Sequence, residues 1–202
     1  MTVLVICRRF VLPTLFRPCR QLFKPKEKVL LLNLSGGVWA INIRIIAVGK
    51  LKEDFFKRAI EHYLIRLQPY AKVKVIELPE AGLSDRLSEK KNWLLQKNLE
   101  EEALAVMKNL RDDSHIIVLA VEGQKVSSEE FAGYLERLLI EGKSKVDFVI
   151  GGPTGLAESI KQKGDFCLSL SSLTFPHRLA RLILLEQLYR CFKIIRGEPY
   201  HK

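Results

Sequence analysis

The sequence predicts an α/β fold, an open and mostly parallel sheet flanked by helices, and three observations lead to it. From residue 41 onward, short β-branched runs alternate with longer segments whose apolar residues recur at helical spacing. One run, HIIVLAVEG (115–123), is apolar nearly throughout, as expected of a strand buried on both faces. Another, VDFVI (146–150), leads straight into a glycine loop, GGPTG (151–155), before helical pattern resumes.

Taken in order, the first strand is INIRIIAVG, closed by Gly49. The helix after it carries Phe56, Ala59, Ile60, Tyr63, Leu64 and Leu67 on one stripe and stops near Pro69. KVKVIEL is the second strand, and residues 79–85 read as a loop. A polar, Lys- and Glu-rich helix then runs to about Leu110, with Leu95, Leu99, Ala103, Val106 and Leu110 expected on its inner face. After the third strand, Ser127 and Glu130 have the spacing of a capping box and announce a helix towards Glu141. The fourth strand, the glycine loop, a short helix from about Leu156 to Lys163 and a fifth strand, DFCLSL, follow. The last helix is expected over His177–Ile195, with Thr174 as its N-cap and Pro176 in the first turn. It is apolar almost all round, through Leu179, Leu182, Ile183, Leu185, Leu188, Phe192 and Ile195, which predicts a sheet on one side and a second subunit on the other.

The 202 residues and 48% hydrophobic content suit one folded core. The formal charge of +10 is uneven: residues 1–40 hold Arg8, Arg9, Arg17, Arg20, Lys24, Lys26 and Lys28 against Glu27 alone. The rest is moderately basic, which fits either a nucleic-acid partner met through a local patch or an ordinary solvated surface. Cys7, Cys19, Cys167 and Cys191 show no metal-ligand spacing, so the reading is a reducing cytoplasm, no metal, and core roles for the last two. Residues 1–40 lack sustained periodicity and read as an extension: a misassigned start or a targeting leader. A secretory signal fits poorly because no basic segment precedes the first apolar run. A membrane span fits poorly because Asn33, Ser35, Gly36, Gly37, Asn42 and Arg44 interrupt the one long apolar stretch.

In open parallel sheets, ligands gather beyond the carboxyl ends of the strands. The segments expected there are 119–123, 151–155 and 170–175, all small, apolar or neutral. The glycine loop lacks the Gly-Lys-Ser/Thr ending of a phosphate cradle, and no acidic metal ligands accompany it, which argues against nucleotide hydrolysis. A dinucleotide fingerprint should follow the first strand, where the chain reads Gly49-Lys50-Leu51-Lys52. A flat, mostly neutral ligand held by main chain, such as an adenosine moiety, fits better. The competing reading is that Gly151, Gly152 and Gly155 only make a tight turn. His177, Arg178 and Arg181 stand beside this crevice, and Arg190, Lys193 and Arg196 continue the basic theme along the helix. The terminal Tyr200-His201-Lys202 combines an aromatic, an imidazole and a cation, a set suited to an unstacked RNA base.

Three motifs in order, IRIIAVGKLKEDFF, GGPTGL and LSLSSLTFPHRLARLILLEQLYRCFKIIRGEPYHK, closely resemble the RlmH-type ribosomal RNA large-subunit methyltransferases of the SPOUT superfamily. The resemblance covers residues 41–202, and family members usually begin with methionine where Ile41 stands. It implies an α/β-knot, a deep trefoil knot near the C-terminus, in a homodimer that binds S-adenosylmethionine. The implied cofactor contacts are Leu119, Gly151, Leu170, Ser171, Ser172, Leu173, Thr174 and Phe175, with Gly151 and Gly152 leaving room for cofactor and knotted backbone. The implied activity is methylation of N3 of a pseudouridine in 23S ribosomal RNA on the assembled ribosome. On that basis His177 shapes the cofactor pocket, Arg181 positions RNA and stabilises charge, and Tyr200 and His201 hold or deprotonate the base. Arg178, Arg181, Arg196 and Lys202 are the expected RNA contacts. The alternative is a ribosome-associated RNA-binding protein of the same fold without methyl transfer.

Overall fold

The computed structural model describes residues 41–81 and 91–200. Among them, β1 (Asn42–Val48), β2 (Lys72–Leu78), β3 (His115–Lys125), β4 (Lys145–Ile150) and β5 (Phe166–Ser169) form one sheet in the order β2-β1-β4-β3-β5. Every pairing is parallel. The connections carry α1 (Asp54–Leu67), α2 (Lys91–Asn109), α3 (Ser128–Ile140), α4 (Glu158–Lys163) and α5 (His177–Ile195). The part of the polar helix before Lys91, and most of the loop expected at 79–85, lie outside the described residues.

Two-residue alternation in the central strands sorts the core into two layers. Ile43, Ile45 and Ala47 of β1, with Val146, Phe148 and Ile150 of β4, face one side, where α1, α3 and α5 supply Ile60, Leu135 and Leu188. Ile46, Val48, Val118 and Val149 face the other, against Ala103 and Val106 of α2 and Ile160 of α4. The capping box at Ser127 is present in full: its hydroxyl accepts from the Glu130 backbone N–H, and the Glu130 carboxylate accepts from the Ser127 N–H.

Three expectations need correction. The strand β3 is buried only in its first half; Val121 and Glu122 are exposed. Its pairing with β4 ends at Leu119↔Ile150, and its register with β5 jumps from Leu119↔Leu168 to Gln124↔Leu168, so the intervening residues swing out of the sheet. On α2, Leu95 and Leu99 are only half-buried, while Asn98 and Glu102 are buried beside Ala103 and Val106. The helix α5 is capped by Pro176, and Thr174 is exposed and makes no cap. Over its length α5 packs between α1 and α3 with the sheet beneath it, while Leu179, Leu182 and Ile183 remain only half-buried.

Asp147 is fully buried near the start of β4 and has five hydrogen bonds to satisfy its charge. It accepts from Arg44 Nε at 3.0 Å and Nη2 at 2.6 Å, from the Arg111 backbone at 3.0 Å and Nη2 at 2.5 Å, and from Ser114 Oγ at 2.9 Å. Burial alone would push its carboxyl up, but these donors outweigh it and hold the group below the usual carboxylate range. Such a contribution is whole above the ordinary carboxylate pKa of about 3.9 and is lost as pH falls from there towards the depressed value. Asp147→Asn should lower stability at pH 7 by about 3 kcal/mol, measured by urea unfolding, and the gap from the parent protein should narrow below about pH 4.

Candidate active site

The carboxyl ends of β3, β4 and β5 open into a cleft of about 200 Å³. Its walls are apolar side chains, among them Leu119, Ile150, Leu156, Leu168 and Phe175, and main chain from Gly151, Gly152 and Gly155. The swing of β3 out of the sheet makes one side of it. Ser169 at the end of β5 holds that side in place, its hydroxyl lying 3.0 Å from the carbonyl oxygens of both Val121 and Ser171. Ser171 Oγ in turn accepts from the Leu173 backbone N–H at 3.0 Å, so this hydroxyl shapes its own loop.

The glycines are explained by the loop itself. A Cβ on Gly151 would lie 2.4 Å from the Gly155 carbonyl oxygen, and Gly155 has φ +88°. A Cβ on Gly152 would stand 3.1 Å from Val48 Cγ1. The tight-turn reading thus accounts for Gly151 and Gly155 without a ligand, and the turn leaves their backbone bare against the cleft.

Next to the cleft residues His177 and Ala180, α5 carries a buried cation. Arg181 is 0% exposed; its Nη2 donates to the Val48 and Gly49 carbonyls at 2.8 and 2.5 Å, and its Nη1 to Glu77 Oε1 at 2.9 Å. Burial lowers its pKa, which Glu77 partly counters. One turn earlier, His177 lines the cleft. Its pKa is lowered, first by burial and then by the Arg181 and Arg178 charges, against which Glu80 and Glu53 pull upward.

Of the sequence-predicted cofactor contacts, Leu119, Gly151, Leu170, Ser171, Leu173 and Phe175 line this cleft together with His177, while Ser172 and Thr174 are exposed outside it. Arg181 does not line the cleft; its guanidinium is engaged inside the fold at the ends of β1 and β2. Arg178 is paired with Glu53, and Arg196 donates to the Pro69 carbonyl at 2.9 Å and stacks over Tyr70. Tyr200 is not at the cleft of its own chain: its hydroxyl donates to Glu186 Oε1 at 2.7 Å, and Arg190 lies over its ring at 4.3 Å. Glu186 stands nine residues along α5 from His177, an axial rise of roughly 13 Å. Burial, then the bond to Glu186, pushes the Tyr200 phenol up to about 12. His201 and Lys202 lie outside the described residues, as do Cys7 and Cys19. Sequence reasoning missed Glu122 and Lys161, which pair across the rim of the cleft. Their separation in the chain hides the pair, although Lys161, one turn into the helix after the glycine loop, was placed to reach back.

A parallel sheet whose carboxyl-edge cleft is neutral and backed by main chain is the architecture of an α/β enzyme for a small, largely uncharged ligand, not of a phosphate-cradling one. Residues 41–201 match the family described as "Predicted SPOUT methyltransferase", and the chain belongs to that family. Two curated relatives, both called "Ribosomal RNA large subunit methyltransferase H", come from Bacillus thuringiensis (strain Al Hakam) and Bacillus anthracis. Each is 51% identical over 162 residues, covering 80% of this chain and 100% of the relative. A solved structure titled as a probable methylase family protein from Haemophilus influenzae Rd KW20 aligns over 80% of this chain and 71% of that one. Its identity is 15% and its TM-score 0.45, too distant a likeness to bear on the fold.

Arg181→Met should lower the melting temperature by roughly 10 °C, because it strands Glu77 and two carbonyls. Arg178→Met, whose ion pair is partly open to solvent, should move it by no more than about 3 °C. Calorimetry of the two variants side by side checks the contrast.

Proposed function

We propose that the protein is an S-adenosylmethionine-dependent methyltransferase acting on N3 of a pseudouridine in 23S ribosomal RNA of the assembled ribosome. The observation that carries this reading is the 51% identity to the methyltransferases H across their whole length. The site supports it: the cleft offers apolar walls and bare main chain to an adenosine, and lacks the lysine and glycine pattern that a polyphosphate would need. In this reading residues 41–202 are the catalytic unit, folded as an α/β-knot, paired as a homodimer and working in the cytoplasm, with residues 1–40 a separate extension. No described helix is long and apolar enough to cross a membrane.

The bound donor supplies an activated methyl on sulfonium. The chain's part is to align the target nitrogen with it and to help that nitrogen lose its proton. Leu119, Gly151, Leu170, Ser171, Leu173 and Phe175 hold the donor, with Ser172 and Thr174 at the outer edge of the same loop. His177, whose pKa is lowered by burial, forms the wall beside the reacting groups. Arg181 fixes the end of β1 against α5 and lends positive potential to the neighbouring cleft. Arg178, Arg196 and Lys202 meet the RNA backbone. Tyr200 and His201, from a second copy's tail, hold or deprotonate the base; the distance of Tyr200 from the cleft of its own chain supports that assignment.

Incubating the full chain with S-adenosylmethionine and ribosomes lacking the modification should yield N3-methylpseudouridine, identified by mass spectrometry of digested RNA. Ribosome binding without any methylated nucleoside would favour the RNA-binding alternative. Replacing both Tyr200 and His201 by alanine should slow turnover about a hundredfold. Unchanged turnover would remove the tail from the mechanism.

A further inference from the structure

Beside the cleft, the carboxyl ends of β1 and β2 hold an arrangement that the residues discussed so far leave unexplained. Gly49 has φ +96°, and a Cβ there would lie 2.4 Å from Glu80 Oε1 and 2.8 Å from His177 Nε2. The space that a side chain at 49 would fill is where these two groups meet. Their atoms stand 3.5 Å apart. The Nε2 nitrogen is buried and hydrogen-bonds to no described residue, while Glu80 remains about one-third exposed. The approach is built by the sheet: the Gly49 N–H donates to the Leu78 carbonyl at 2.8 Å, extending the β1–β2 ladder one step and bringing the chain after Leu78 alongside Gly49.

We propose that Glu80 is a positioning residue for His177: its carboxylate takes up the hydrogen of Nε2, which fixes the tautomer and the angle of the imidazole in the cleft wall. A small side-chain rotation closes 3.5 Å to hydrogen-bond distance. With the hydrogen on Nε2, Nδ1 is left as the acceptor nitrogen. The charged groups around the imidazole are Arg181 and Arg178 from α5, Glu80 after β2 and Glu53 before α1. Glu80 is the nearest carboxylate to Nε2 among them by the contacts described, and Gly49 is the residue that admits it.

The link to donor binding rests on the proposed function, whereas the state of the imidazole does not, so the two are tested separately. Nitrogen-15 NMR of the full chain should show His177 in one neutral tautomer, hydrogen on Nε2. In Glu80→Ala the shifts should move towards a mixture of tautomers. In both Glu80→Gln and Glu80→Ala the imidazole should titrate at lower pH than in the parent, since a carboxylate that favours its charged form is gone. Identical shifts and identical titration in Glu80→Ala would overturn the proposal. Circular dichroism checks that each variant is folded, and the glutamine keeps the shape of the side chain while removing its charge. Calorimetry with S-adenosylhomocysteine should then show binding weakened about threefold to tenfold in Glu80→Ala, the loss of one hydrogen bond's ordering. An altered imidazole with unaltered affinity would overturn the connection to the cleft. If the parent chain failed to bind S-adenosylhomocysteine at all, the methyl-donor reading would fall while the NMR result still decided the pairing.

Discussion

The burial of Arg181 constrains the end of the molecule that matters most. A guanidinium with no exposure needs partners, and here the chain at the carboxyl end of β1 gives two carbonyls to Nη2 while β2 gives a carboxylate to Nη1. Neither strand can move relative to α5 without stranding that charge. Because α5 also carries His177 and Ala180 into the cleft wall, that wall is tied through Arg181 to the ends of β1 and β2. The Asp147 cluster plays the matching part near the amino ends of β1 and β4, so the sheet is pinned by a buried ion at each end and packed by aliphatic layers between them.

The shape of the cleft follows from three departures from regular structure. The strand β3 leaves the sheet after Leu119, the glycine loop folds so closely that any side chain on Gly151 would strike the Gly155 carbonyl, and Ser169 ties the displaced part of β3 to the end of β5. Each is a local backbone solution, and together they present main chain where most binding sites present side chains. This suits a ligand recognised by outline and by amide groups. It also explains why the charged residues around the site, Lys161 with Glu122 and Arg178 with Glu53, are paired with one another.

Much of this was legible in the sequence because it is written in periodicity. Ile43, Ile45 and Ala47 alternate with Ile46 and Val48 as the two faces of β1, and Ser127 with Glu130 spelled out a helix start that is present atom for atom. The errors fall where local pattern carries no information. HIIVLAVEG looks the same whether its second half stays in the sheet or leaves it. Leu95 and Leu99 gave α2 an apparent inner stripe, yet Asn98 and Glu102 are the residues buried there; Glu102 accepts the Ala81 N–H at 3.0 Å. The lip of the cleft at Gly151 and Phe175 could be named from motifs. The meeting of Gly49, Glu80 and His177 could not, since it joins residues far apart in the chain through the register of two strands.

That register has a further consequence during synthesis. The strand β1 is interior, with β2 on one side and β4 on the other, and Asp147 of β4, the partner of Arg44, lies 103 residues downstream of it. A ribosome delivers β2 soon after β1, but β4 arrives only after α2, β3 and α3 have emerged. Through that interval the nascent chain carries an unpaired, aliphatic strand edge whose natural neighbour does not yet exist.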